Sequence, residues 1–107
     1  MKSIAFSAGA ALLVAGSAMA ADELPLAQKS GCMACHQIDQ KLVGPAYKDV
    51  AKKFAGQPNA VEELTQKVIN GSQGVWGPVP MPPKGGNPSV SDEDVKKIVE
   101  WVLTLNK

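Results

Sequence analysis

Both cysteines and the only histidine of this 107-residue chain fall within five consecutive positions, Cys32-Met33-Ala34-Cys35-His36. Few clusters restrict a small chain as tightly. Two thiols and an imidazole this close suit a disulfide redox centre, a zinc site or a covalently attached haem. Each needs different surroundings. A redox C-x-x-C follows a strand in a β-α-β setting. A zinc site needs four ligands, or three and a water. A haem needs a thiol for each of two vinyl groups and an imidazole for the iron.

The start of the chain bears on the compartment. Lys2 gives a positive start, an apolar run spans 4–16, and Ala18-Met19-Ala20 offers small residues to a peptidase. This is the pattern of a secretory signal, with cleavage expected after Ala20. The run of about 13 residues falls short of the roughly 20 that span a bilayer. No cysteine sits at the junction to carry a lipid, so no membrane anchor is expected. The expected mature protein is one exported, periplasmic domain of 87 residues, 21–107.

A domain of that size has a core problem. Its aromatic residues are Tyr47, Phe54, Trp76 and Trp101. Small domains with thin cores need a staple, a metal or a cofactor. A Cys32–Cys35 disulfide would close too short a loop to stabilise the fold much. A bulky apolar cofactor would supply the missing interior. Beyond the leader, ten lysines face ten carboxylates and there is no arginine. A net charge near zero argues against a nucleic-acid partner.

The remaining sequence reads as helices cut by glycine and proline, an all-α chain. A first helix is expected from Glu23 to Ser30, ended by Gly31, and a second from near Pro45 to Phe54. A third starts at Asn59 as N-cap, with Glu62 at the capping-box position and Val61, Leu64 and Val68 on one face. The last is capped by Ser91, with Asp94 at the box position and an acidic first turn that suits the helix dipole. Its stripe is Val95, Ile98, Val99, Val102 and Leu105, with Trp101 flanking it. Residues 71–90 hold five glycines and five prolines yet keep Trp76 and Met81. So long a connection in so small a domain is expected to be an ordered loop around a ligand.

Helices without strands disfavour the redox centre, and no second ligand cluster completes a zinc site. Haem attachment accounts for Cys32, Cys35 and His36 together, with His36 as the proximal ligand. The sixth ligand follows by elimination. There is no second histidine, and Met33 lies inside the attachment loop. Met81 remains, framed by Pro80 and Pro82, whose fixed φ stiffens the segment.

These residues, with the stretches 43–50, 70–78, 80–83 and 101–103, resemble bacterial class I c-type cytochromes of the c-551 type over essentially the whole mature chain. The resemblance implies a cytochrome c fold of about four helices around one haem c. It implies that the Pro45 carbonyl orients His36, and that the Trp76 indole N–H bonds a haem propionate. Lys67 stands where the family has an arginine near a propionate, so one ammonium replaces a paired contact. Ala27 replaces an aromatic against the last helix, which implies different or thinner packing. The stretch 84–88 is longer than usual, and Asn87 is its candidate amide donor to the Met81 sulfur.

The expected function is one-electron transfer without enzymatic turnover. The exposed haem edge would be rimmed by Met33, Val43, Ala46, Val79, Pro82 and Pro83, with Lys29, Lys41, Lys48 and Lys52 further out. Such a patch suits brief docking. The resemblance implies a monomer passing electrons between a membrane cytochrome complex and a terminal oxidase or nitrite reductase. The alternatives are a ligand-binding or peroxidatic haem protein, and a dedicated subunit of one complex. Carbon monoxide binding at neutral pH discriminates the first, and gel filtration of an extract the second. Intact mass tests the processing: the exported protein should weigh as residues 21–107 plus one haem, and a mass retaining 1–20 would refute the leader.

Overall fold

The computed structural model describes residues 22–106; the expected leader lies outside them. Four helices form, α1 (Leu24–Lys29), α2 (Tyr47–Phe54), α3 (Ala60–Asn70) and α4 (Asp92–Leu103). Two short 3₁₀ turns, Cys32–Ala34 and Pro83–Gly86, punctuate the loops. The chain is all-α, as its punctuation predicts. Among the described residues the β pairing amounts to one antiparallel bridge, Ser72 with Met81.

Local chemistry sets the helix ends. Pro25 sits in the first turn of α1, where its missing N–H costs nothing. Gly31, at φ +89°, turns the chain out of α1 into the cysteine segment. α2 begins at Tyr47, two residues later than its proline suggests, because Ala46 is extended at ψ 142°. Its first amides find partners outside the helix. Tyr47 N–H donates to the Gln37 carbonyl at 2.8 Å and Lys48 N–H to that of Ile38 at 3.0 Å. The two candidate N-caps behave differently. Ser91 Oγ accepts from the Asp94 amide at 3.1 Å. Asn59 occupies its cap position but makes no side-chain bond. At ψ 20° it lacks the extended geometry that aims a cap oxygen at the first turn.

α4 lies against α1, α2 and α3 and organises the core. Val95, Ile98, Val99 and Val102 are buried as the stripe predicts. Leu105 lies beyond the helix and is only half-buried. Trp101 does not merely flank the stripe. It is buried and meets Tyr47 edge-to-face, with ring centroids 5.8 Å apart. Ala27 is fully buried in the same cluster, and Met33 packs half-buried against it. The interior next to α1 is therefore closed by small and flexible side chains instead of a second aromatic ring. On α3, Leu64 is buried while Val61 and Val68 pack at the cluster's margin. No described helix is long and apolar enough to cross a membrane.

Denaturant titration of the holoprotein checks these assignments. Ser91→Ala should cost about 1 kcal/mol, whereas Asn59→Ala should stay within about 0.5 kcal/mol. Trp101→Ala should cost about 3–5 kcal/mol. Equal losses at Ser91 and Asn59 would contradict the cap geometry.

Candidate haem site

Between the helices lies a cavity of about 400 Å³. Its walls are mainly apolar, with Val50, Phe54, Leu64, Val68, Val95 and Val99 among them. All seven residues singled out in the sequence line it: Cys32, Cys35, His36, Pro45, Lys67, Trp76 and Met81. They come from two stretches, 32–45 and 67–81, that the fold brings together.

His36 is held from several directions. Its Nδ1 lies 2.8 Å from the Pro45 carbonyl oxygen. A carbonyl can only accept, so Nδ1 carries the proton and Nε2 is left with its lone pair. The Tyr47 ring stacks on the imidazole, centroids 4.8 Å apart and planes 20° from parallel. Gly44 lies against the same ring. A Cβ built there would fall 2.6 Å from Cε1 and 2.9 Å from Nδ1, closer than atoms tolerate. The Gly44 amide in turn donates to the Cys35 carbonyl at 2.7 Å. Neither Gly44 nor Tyr47 was legible as an imidazole support, because an irregular loop, with no repeating geometry, carries the chain from His36 to them.

Burial acts on three titratable groups around the imidazole. Burial pushes the His36 imidazole below its ordinary range, with the Pro45 contact pulling the other way. Burial raises the Cys32 thiol, opposed by a hydrogen bond from the Tyr47 hydroxyl. Burial, with Cys32 alongside, holds the Tyr47 phenol well above its usual range. A neutral imidazole is the form that ligates a metal.

Met81 is fixed by backbone. Its N–H donates to the Ser72 carbonyl at 2.8 Å, and its carbonyl accepts from Ser72 N–H at 3.0 Å. The sequence suggested stiffness from Pro80 and Pro82 alone; the bridge adds a positional anchor. Gly71, at φ +84°, makes room for it, since a Cβ there would lie 2.8 Å from the Met81 carbonyl oxygen.

Trp76 is partly exposed, with Lys53 Nζ 5.6 Å from its ring centroid, a cation–π contact the sequence does not reveal. Val43 and Val79 are exposed by 52% and 59%, and Pro82 and Pro83 are exposed too, as expected of a rim. Ala46 is not a rim residue. It is 2% exposed, because it caps α2 and its carbonyl takes the amides of Asp49 and Val50. Lys29, Lys41 and Lys52 are exposed, while Lys48 pairs with Asp39 at 2.8 Å. Asn87 is not directed at the Met81 sulfur; its amide donates to the Ser30 carbonyl at 3.1 Å.

An apolar cavity with two thiols at its wall, a neutral imidazole and a thioether fits a haem bound through C-x-x-C-H. Such a site within an all-α shell defines a c-type cytochrome. The sequence matches the cytochrome c family model over residues 15–106, and the chain belongs to that family. It is 55% identical to cytochrome c-551 of Pseudomonas aeruginosa over 92 residues, 86% of this chain and 85% of the relative. It is 51% identical to cytochrome c-552 of Nitrosomonas europaea over 98 residues, 92% of this chain and 90% of that one. The crystal structure of wild-type Nitrosomonas europaea cytochrome c552 superposes with a TM-score of 0.71, covering 76% of this chain and 96% of that one. The chain is thus a class I c-type cytochrome, a small electron carrier with one haem c attached through Cys32 and Cys35.

Two glycine substitutions separate ring support from backbone strain. Gly56 has φ +80° with nothing near its Cβ position, so Gly56→Ala should cost about 1 kcal/mol through strain alone. Gly44→Ala should displace the imidazole and alter the haem absorption spectrum and midpoint potential. An unchanged potential in Gly44→Ala holoprotein would show that the glycine does not position the ring.

Proposed function

We propose that this chain is a periplasmic one-electron carrier whose haem iron is ligated by His36 and Met81. The observation that carries the reading is the pairing of two independently fixed ligands at one cavity. The Pro45 carbonyl sets the His36 tautomer, and the Ser72 bridge fixes the Met81 backbone. Bound haem c supplies a reversible one-electron couple, whose potential a His/Met ligand pair raises. The protein's part is to hold both ligands still, exclude water and leave an edge accessible. Ligands on rigid elements favour this, since little has to reorganise when charge changes.

Lys67 and Trp76, both at the cavity wall, are suited to meet the propionates. Lys53, stacked on Trp76, adds a second cation to that side. Val43, Val79, Pro82 and Pro83 form an exposed apolar face, with Lys29, Lys41 and Lys52 also exposed. A small face of this composition supports short-lived docking to redox partners. A membrane cytochrome complex as donor and a terminal oxidase or nitrite reductase as acceptor complete the reading. The protein works as a monomer and turns over no substrate of its own, since His36 and Met81 would together hold the iron and leave no position on it for a substrate.

Substitution of Met81 tests the ligand set. The reduced protein should show a methionine methyl strongly shifted by the ring current in its proton NMR spectrum. Met81→Ala should abolish that signal, lower the potential and open the iron to carbon monoxide; axial-ligand identity spans about 0.8 V across haem proteins. Met33→Ala should do none of these. Persistence of the shifted methyl in Met81→Ala would overturn the assignment.

A further inference from the structure

The segment after Met81 contains one contact that neither the fold nor the ligand set requires. The Asn87 carboxamide reaches across 57 positions in sequence, Nδ2 donating to the Ser30 carbonyl at 3.1 Å. Its Oδ1 accepts from the Ser89 amide at 3.2 Å and the Ser89 hydroxyl at 2.6 Å, which fixes the side chain for that reach. Ser30 is buried and stands two residues before Cys32. Asn87 is tied back toward the ligand as well. Its amide donates to the Lys84 carbonyl at 3.0 Å, and the Gly85 amide donates to the Pro82 carbonyl at 2.9 Å.

The turn between them is shaped for this return. Lys84 (φ 53°) and Gly85 (φ 63°) are both left-handed, and among the described residues Lys84 is the one non-glycine with positive φ. Lys84 Nζ donates to the Val90 carbonyl at 2.7 Å and pairs with Asp92 at 2.9 Å. That pins the turn to the start of α4. Ser30, Gly31, Lys84 and Gly85 line the cavity beside Met81, so the Asn87–Ser30 contact closes one of its edges.

We propose that Asn87 is a positioning residue for the axial methionine, its carboxamide latching the Met81 loop to the attachment turn at Ser30. This rests on Met81 being the iron ligand. The Ser72 bridge anchors Met81 itself, and the Asn87 latch anchors the loop that follows it. Loops of this kind open by local unfolding, and each anchor lowers the population of the open form. Loss of one net hydrogen bond raises that population about fivefold.

Imidazole titration of the ferric holoprotein reads the opening, because this neutral ligand reaches the iron only when Met81 leaves. Asn87→Asp keeps an acceptor for Ser89 but has no N–H for Ser30. Asn87→Ala removes both without adding charge. Each should bind imidazole about fivefold more tightly than the native protein. Gly56→Ala, which lowers global stability through strain away from the cavity, should bind it as the native protein does. A rise in only one of the two Asn87 variants, or an equal rise in Gly56→Ala, overturns the latch. The reduced native protein separates the two levels. If it lacks the shifted methionine methyl, the Met81 reading fails and takes the latch with it. If the methyl is present and Asn87→Asp leaves imidazole affinity unchanged, the latch alone falls.

Discussion

The hydrogen bond between the His36 Nδ1–H and the Pro45 carbonyl is the contact on which the rest of the site depends. It requires a carbonyl outside any helix, pointing at the ring. That carbonyl is available because Ala46 is extended and α2 starts only at Tyr47. The delayed start leaves the first α2 amides in need of partners, and the residues just after His36 supply them through the Gln37 and Ile38 carbonyls. Helix start, ring orientation and attachment turn therefore form one hydrogen-bonded unit. Tyr47 belongs to all of it: its amide starts the helix, its ring stacks on the imidazole, and its edge meets Trp101 on α4.

This unit explains how so thin a core can hold a large apolar group. The helices do not fill the centre with side chains. They surround a cavity, and the buried cluster that includes Tyr47, Phe54 and the α4 aliphatics supplies part of its wall. Burying an apolar ring system in that space contributes the hydrophobic stabilisation that a domain of this size otherwise lacks. The same exclusion of water favours the neutral His36 imidazole, so cofactor binding and the ligand's protonation state share one physical cause.

Much of this was legible in the sequence, and the remainder divides by mechanism. The C-x-x-C-H cluster, the α4 stripe and the place of Met81 at the cavity wall could be read because each rests on local spacing or on the absence of rivals. The placement of Pro45 came from family resemblance, and the 2.8 Å contact agrees with it. What escaped reading was set by tertiary contact. Asn59 looks like a cap by residue type, but its backbone angles deny it that bond. Ala46 was placed at an exposed edge, yet the cap position turns it inward. Asn87 carries the expected amide, but the longer 84–88 turn delivers it to Ser30 instead of a sulfur. Nor could any pattern have shown that Gly44 must lack a side chain, since the constraint is an imidazole eight residues earlier.

The Ser72–Met81 bridge has a consequence beyond fixing Met81 at the cavity wall. Both of its hydrogen bonds are made by main-chain atoms, so they survive almost any side-chain replacement in the intervening loop. The exposed side chains of Val75 and Val79 can then change to suit a new neighbour without breaking the main-chain anchor of Met81. Backbone anchoring of Met81 and the character of the exposed side chains are thus uncoupled within a single ten-residue loop. A lineage of such proteins can vary that exposed surface while keeping one redox chemistry, and Gly71, the residue that lets the two bridged segments approach, is where that freedom would be lost.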